Sequence, residues 1–264
     1  MTNEKSSKTI PSPPAKTKHI FTAVFVILVI WLSGVRTETS MSDLWTGIPN
    51  MWDLLKQMFP PNLSYIDNIT PAMLETIRMA VLGTTFGSII AIPIALLCAS
   101  NIVKSTIWNY PVRFILNLIR TVPDLLLAAI FVAIFGLGPL PGILALSIFS
   151  IGLVAKLTYE AIESIDPGPL EAMTAVGANK VQWIFFGVIP QILAHYTSYV
   201  LYTFEVNVRA AAVLGLVGAG GIGLYYDRTL GFLEYDKTST IIIYTLVVVL
   251  FIDYISMKLR EKLI

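Results

Sequence analysis

The sequence predicts an all-α integral membrane protein with six transmembrane helices, and three observations carry that expectation. Hydrophobic residues fill 55% of the 264 positions and charged residues only 13%, about half the charged share of an ordinary soluble domain. Mean hydropathy is +0.74. Six stretches supply the ~20 mostly apolar residues that a helix needs to cross a bilayer, and 17 glycines with 15 prolines suit membrane helices better than soluble ones. A formal net charge of +1 without a basic block excludes a nucleic-acid partner. The single cysteine, Cys98, excludes an intrachain disulfide, and His19 and His195 lie too far apart in sequence to suggest a metal site.

The first span, about His19–Val35, follows Lys16 and Lys18 at the end of a tail over 1–18. A secretory signal would end in an Ala-x-Ala-type site. Ser33-Gly34-Val35-Arg36 lacks one, so the segment reads as a retained anchor. In the outer loop, 36–73, Met41, Leu44, Trp45 and Ile48, then Trp52, Leu55, Met58 and Phe59, recur at helical spacing, as an interfacial helix requires. Gly47 and Pro49 are expected to break it in two. A membrane-surface clip accounts for this segment without a substrate role.

The other five spans lie within 74–257. The second, about Leu74–Val103, carries Gly83 and Gly87 on one small-residue face suited to helix packing. The third, about Pro111–Phe135, has Arg120 and Asp124 flanking Pro123, a pair placed to steady a kink. The run from Gly136 to Gly142 contains three glycines and two prolines and cannot continue a helix. It forms a hairpin into the fourth span, about Ile143–Ile162. The fifth and sixth spans are about Val188–Val217 and Thr238–Met257, with a short tail over 258–264. With six crossings, twelve Lys and Arg fall on one side and four on the other, Arg78 and Arg209 being inside spans. The positive-inside rule then puts both termini in the cytoplasm.

The loop between the fourth and fifth spans is the most informative segment. Asp166 suits a helix N-cap, Pro167 and Pro169 fit a first turn, and Gly177 ends or bends the helix that this turn begins. A short cytosolic helix, about 166–182, joined to the ends of two spans would transmit the movement of whatever grips it. Glu171-Ala172-Met173-x-x-x-Gly177, followed at the right spacing by Ile189-Pro190, resembles the EAA loop of ABC importer permeases, with Met173 replacing an alanine. The resemblance implies type I ABC importer permease architecture, in which this loop is the coupling helix seated in a cleft of an ATP-hydrolysing subunit. Glu171 and Ala172 would face that partner, Gly177 would form the bend, and Pro190 closes the motif.

The fifth span narrows the resemblance. Glu205-Val206-Asn207-Val208-Arg209, running on to Gly223, looks like the phosphonate-type permeases, whereas the glycine-rich end alone is shared with methionine-type permeases. This resemblance implies a permease core over 74–257 that passes phosphonate, phosphite or a related phosphorus oxyanion. The implied partners are a second copy of the chain, two ABC ATPase subunits, an extracytoplasmic substrate-binding protein and the lipid bilayer of a bacterial inner membrane. No cofactor is expected on this chain. It contains no Gly-x-x-x-x-Gly-Lys-Ser/Thr loop, so ATP and Mg belong to the partner ATPase.

The segment Gly218-Ala219-Gly220-Gly221-Ile222-Gly223 also satisfies a Gly-x-Gly-x-x-Gly pattern, which means phosphate binding only after a strand in a βαβ unit. Here the pattern follows a membrane span. The glycines read instead as a gate, backbone that approaches another subunit closely or leaves helical geometry.

Charges inside spans are functional candidates. Glu205 and Arg209 share one helical face, with Asn207 on another. At 1.5 Å per residue from Pro190, Arg209 is expected ~28 Å along the helix, in the outer half of the bilayer. Two readings stay open: an internal pair that makes burial tolerable, or a guanidinium that helps an oxyanion through. Arg78, three residues after Glu75, either joins that substrate pathway or forms a snorkelling interfacial pair. An intramembrane enzyme would need a His or carboxylate cluster, which is missing. An ion-coupled secondary transporter should break helices in both halves, and only one half shows such a break. A permease for another small solute, such as an amino acid, is the closer alternative.

Overall fold

A computed structural model describes residues 17–37 and 41–263. Most of the expected tail over 1–18, with Lys5, Lys8 and Lys16, lies outside the described residues. All regular elements among the described residues are helical. The chain divides into two units, 1–56 and 57–264.

The first unit holds α1 (Thr17–Arg36) and most of α2 (Met41–Gln57). Not one residue of the α1 span is buried by protein, which leaves hydrocarbon as the solvent that its Ile, Val, Phe and Leu side chains fit. Helix α2 runs unbroken through Gly47 and Pro49, against the expected break. An interior proline removes one N–H bond and crowds the carbonyl four residues back, yet its fixed φ is a helical one and the helix continues past Pro49 to Gln57.

The second unit is built on α3 (Ile66–Cys98), α6 (Pro139–Glu163) and α9 (Ile189–Leu214). Helix α3 starts at Ile66 rather than Leu74, taking over the end of the expected outer loop. Its first turns pack through Ile69, Ala72 and Met73 against Ile222 and Ile241, so tertiary contact carries the helix past the stretch that hydropathy marks. Gly83 and Gly87 let α3 and α6 touch backbone to backbone. A Cβ on Gly87 would stand 2.3 Å from Ser150 Cβ and 2.6 Å from the Ser147 carbonyl oxygen.

The expected third span is two helices, α4 (Thr106–Thr121) and α5 (Asp124–Phe135), bent by 86°. The ring of Pro123 keeps the residue before it out of the helical region, and Val122 accordingly has ψ 122°. Arg120 and Asp124 do not pair across this bend. The Asp124 carboxylate accepts from the Leu125 N–H at 2.8 Å, and the stem of Arg120 lies over Gly152. Beyond α6 come α7 (Pro167–Ala175), the single turn α8 (Lys180–Gln182) and a π-helical segment, Trp183–Val188. After α9, α10 (Ile222–Gly231) is an additional helix, and α11 (Tyr235–Glu261) closes the chain. Among the described residues, five helices are long and apolar enough to span a membrane, and α4 with α5 makes a sixth when counted as one bent span.

Candidate functional site

Helix α7 stands beyond the ends of α6 and α9 and is tied to both. The Asp166 side chain caps it, accepting from the Gly168 N–H at 2.9 Å. The Asp166 N–H donates to Gln191 on α9 (3.1 Å), and Gln191 donates on to the Gly187 carbonyl (2.7 Å). Leu170 is buried and sits in one apolar cluster with Ile162, Val188 and Ile192. Its carbonyl accepts from the Trp183 indole at 3.1 Å, and a Cβ on Gly187 would meet its side chain at 2.7 Å. The π-helical turn 183–188 thus presents indole and glycine to one residue of α7; such segments often mark functional places. Gly177 has φ +77°, and the Ala178 N–H returns to the Met173 carbonyl at 3.0 Å. Asn179 and Gln182 then cap each other's backbone, and Lys180 donates to the Ile102 carbonyl beyond α3 (3.0 Å). Helix α7 is thus bonded to the start of α9 and to the π-helical turn before it, and the segment after it is bonded to the loop that follows α3. The face turned away from the bundle carries Glu171, Ala172, Val176 and Gly177, all exposed, and Glu171 has no hydrogen-bond or ion-pair partner among the described residues. Pro190 is exposed in the first turn of α9.

At the opposite end, the glycine-rich segment leaves helical geometry. Gly218, Gly220 and Gly221 have φ of +84°, +85° and +73°, a region that glycine enters without penalty. The Gly218 carbonyl accepts from the Gly138 N–H of the α5–α6 hairpin at 3.0 Å. Gly223 belongs to close packing instead: a Cβ there would stand 2.5 Å from the Ala212 carbonyl oxygen. Glu75 and Thr76 of α3 cap the start of α10, accepting from the Gly221 N–H (3.1 Å) and the Ile222 N–H (2.8 Å). Glu75 is thus engaged with backbone rather than with Arg78. Arg78 itself is exposed and without a hydrogen bond or ion pair among the described residues.

Between the two ends lies a four-charge cluster. Arg209 donates to Glu205 at 3.0 Å and to Asp253 of α11 at 3.1 Å. Arg260, near the end of α11, takes the other oxygen of Glu205 at 2.8 Å. The cluster has two cations and two carboxylates, and within it Arg209 is the most exposed side chain at 45%. It opens on an apolar groove lined by Val213, Leu216, Tyr226, Ile241 and Leu246. Asp253 and Arg260 escape a reading of the fifth span because they come from a helix 44 and 55 residues further on. The signal that could have found the first of them is its place as the lone carboxylate in the otherwise apolar sixth span.

Asn207 does not join this cluster. It is fully buried, donating to Thr84 on α3 and Ser150 on α6 at 2.7 Å each. Thr84 and Ser150 lie near the midpoints of α3 and α6, so Asn207 is level with the middle of both helices, and Arg209 lies two residues further along α9.

Known proteins share this sequence pattern and architecture. A family model described as "Binding-protein-dependent transport system inner membrane component" matches residues 91–261. HtxC of Stutzerimonas stutzeri, a permease protein named for phosphite transport, is 40% identical over 92% of this chain and 86% of its own length. The phosphite transport system permease protein PtxC of the same organism is 34% identical over 89% of this chain and 85% of its own. Among solved structures, an inward-facing form of the MetNI methionine ABC transporter superposes with a TM-score of 0.68 at 22% identity, over 76% of this chain and 98% of that one. An amino acid ABC transporter crystallised with histidines gives 0.61 at 20% identity, over 76% and 98%.

Proposed function

The chain belongs to the family of binding-protein-dependent transport system inner membrane components, and from that premise we propose that it is the subunit through which a phosphorus oxyanion enters the cell. As an ABC importer permease of type I architecture, it is a transport subunit and not an ATPase. Phosphite or a phosphonate is the substrate that the relatives' names favour. The observation that carries a coupled mechanism is the tethering of α7: a helix bonded to α9 through Gln191 and to the π-helical turn through Trp183 turns an exposed Glu171–Gly177 face outward.

Movement of the ATPase cleft would then tilt α7; the tie through Gln191 and Trp183 carries that tilt into α9, and the apolar cluster that Leu170 shares with Ile162 carries it into α6. Gly177 and Pro190 set the directions in which the loop leaves and rejoins the bundle. At the far end Gly218, Gly220 and Gly221 form the gate, with α10 hung on Glu75 and Thr76 and packed against α9 at Gly223. Arg209, with Glu205 beside it, is the pathway contact for an anion, Arg78 serves the outer mouth, and Asn207 holds the helices that frame them. In this reading α7 and both termini face the cytoplasm, ATP and Mg sit on the partner ATPases, and a binding protein delivers substrate on the other side.

The test is uptake of labelled phosphite into proteoliposomes holding the whole complex and its binding protein. ATP-dependent accumulation supports the reading. Accumulation of an amino acid with none of phosphite or phosphonate would refute the substrate class.

A further inference from the structure

The four-charge cluster distributes its bonds unequally. Glu205 is held from two sides, by Arg209 at 3.0 Å and by Arg260 at 2.8 Å, and is nearly enclosed. Asp253 is held through Oδ2 alone, at 3.1 Å from Arg209 Nη1, while its Oδ1 is buried without a hydrogen-bond partner among the described residues. A carboxylate oxygen shut away from both water and donors is destabilising. Asp253 is therefore the least satisfied anion of the cluster, and it occupies the donor of its most exposed cation.

We infer that Asp253 is a stand-in for the transported anion: it rests on Arg209 Nη1 while the path is empty, and an arriving phosphorus oxyanion displaces it. The inference rests on the substrate reading above. A phosphite or phosphonate presents two or three oxygens in the spacing of a guanidinium fork, whereas Asp253 offers one. Exchange leaves Glu205 between Arg209 and Arg260, so the helix pairing of α9 and α11 persists while the anion passes. A halide, with a single point of contact, matches only what Asp253 already provides. Asp253 thereby determines specificity by setting the affinity that an anion must exceed, and its return to Arg209 speeds release.

The experiment is equilibrium binding of phosphite to the assembled permease–ATPase complex without binding protein, together with uptake by the same complex in proteoliposomes. Asp253→Asn should bind phosphite about tenfold more tightly, since removing a competing carboxylate at about 3 Å from a cation is worth a decade or so in affinity. Chloride should begin to compete, and Asp253→Asn combined with Arg209→Met should lose the gain. Asp253→Glu, which keeps the charge, should stay near wild type. A merely structural role for Asp253 predicts loss and not gain. Should Asp253→Asn not assemble, Asp253→Ser removes the same charge in a smaller volume and must show the same gain. Unchanged or weaker phosphite binding by an assembled Asn or Ser variant, beside normal wild-type uptake, overturns the stand-in role alone; a wild-type complex that neither binds nor takes up phosphite or phosphonate overturns the substrate reading beneath it.

Discussion

Removing Arg209 alone leaves Asp253 without an ion-pair partner among the described residues and Glu205 with Arg260 alone. Buried charge left unpaired is strongly destabilising, and with Arg209 45% exposed the expected loss is discounted to about 1–3 kcal/mol. Arg209→Met with Asp253→Asn restores neutrality and keeps the Glu205–Arg260 pair. This double variant should recover most of the assembled protein, read as the thermal midpoint of the complex by size exclusion, yet transport poorly. Near-wild-type uptake would remove Arg209 from the pathway. Added volume acts differently. Gly87→Ala should destabilise by about 1–3 kcal/mol because its methyl meets Ser150 and the Ser147 carbonyl. Gly47→Ala, with open space around it and an ordinary helical backbone, should be neutral or gain about 0.5–1 kcal/mol. Equal midpoints for the two alanine variants would contradict the α3–α6 contact. At this scale the sequence exposes only what is close along the chain. Glu205 and Arg209 are visible as an i, i+4 pair, and Gly83 and Gly87 as a small face. Their partners depend on how distant helices pack.

Helix α7 is legible in the sequence because its signals are local: a capping Asp166, two prolines in the first turn and a glycine at the end. The 86° bend between α4 and α5 is not, since hydropathy reports composition along a segment and is blind to its direction. Pro123 marks the place without fixing the angle. The segment from Gly218 to Gly221 is legible as non-helical backbone, but α10 stays hidden because its cap is supplied by Glu75 and Thr76, 146 residues away. Gly177 lends itself to a test at the level of the element. No atom stands within 4 Å of a Cβ placed there, while its φ is +77°, so substitution penalises backbone conformation and not packing. Gly177→Val should cost about 1–2 kcal/mol locally and redirect the chain between α7 and α8, lowering uptake severalfold while membrane insertion persists. Gly177→Asn should be milder, because Asn visits the left-handed region more readily. Equal uptake by wild type, Asn and Val variants would show that this bend does not carry coupling.

Among the described residues, the centre of the second unit is closed to a solute. Helices α3 and α6 are in backbone contact at Gly83 and Gly87, and fully buried Asn207 ties α9 to both. On the function proposed above, the pathway would run along an outer face of this core and be completed by another subunit. The groove beside Arg209, open between α9, α10 and α11, is such a face. On the same proposal, the exposed side of α7 would seat one ATPase per permease chain. The complex should therefore contain two copies of this 29.1 kDa chain and two ATPase subunits, and native mass spectrometry of the detergent-extracted complex reads that stoichiometry directly. Glu171→Ala should weaken the ATPase contact first, because Glu171 is exposed and without a partner among the described residues. The two ATPase subunits should dissociate from this variant at lower collision energy or higher salt than from wild type, while the permease pair stays together. A complex that transports with one permease copy would refute the shared pathway, and a Glu171→Ala complex that holds its ATPases as firmly as wild type would take Glu171 out of the contact.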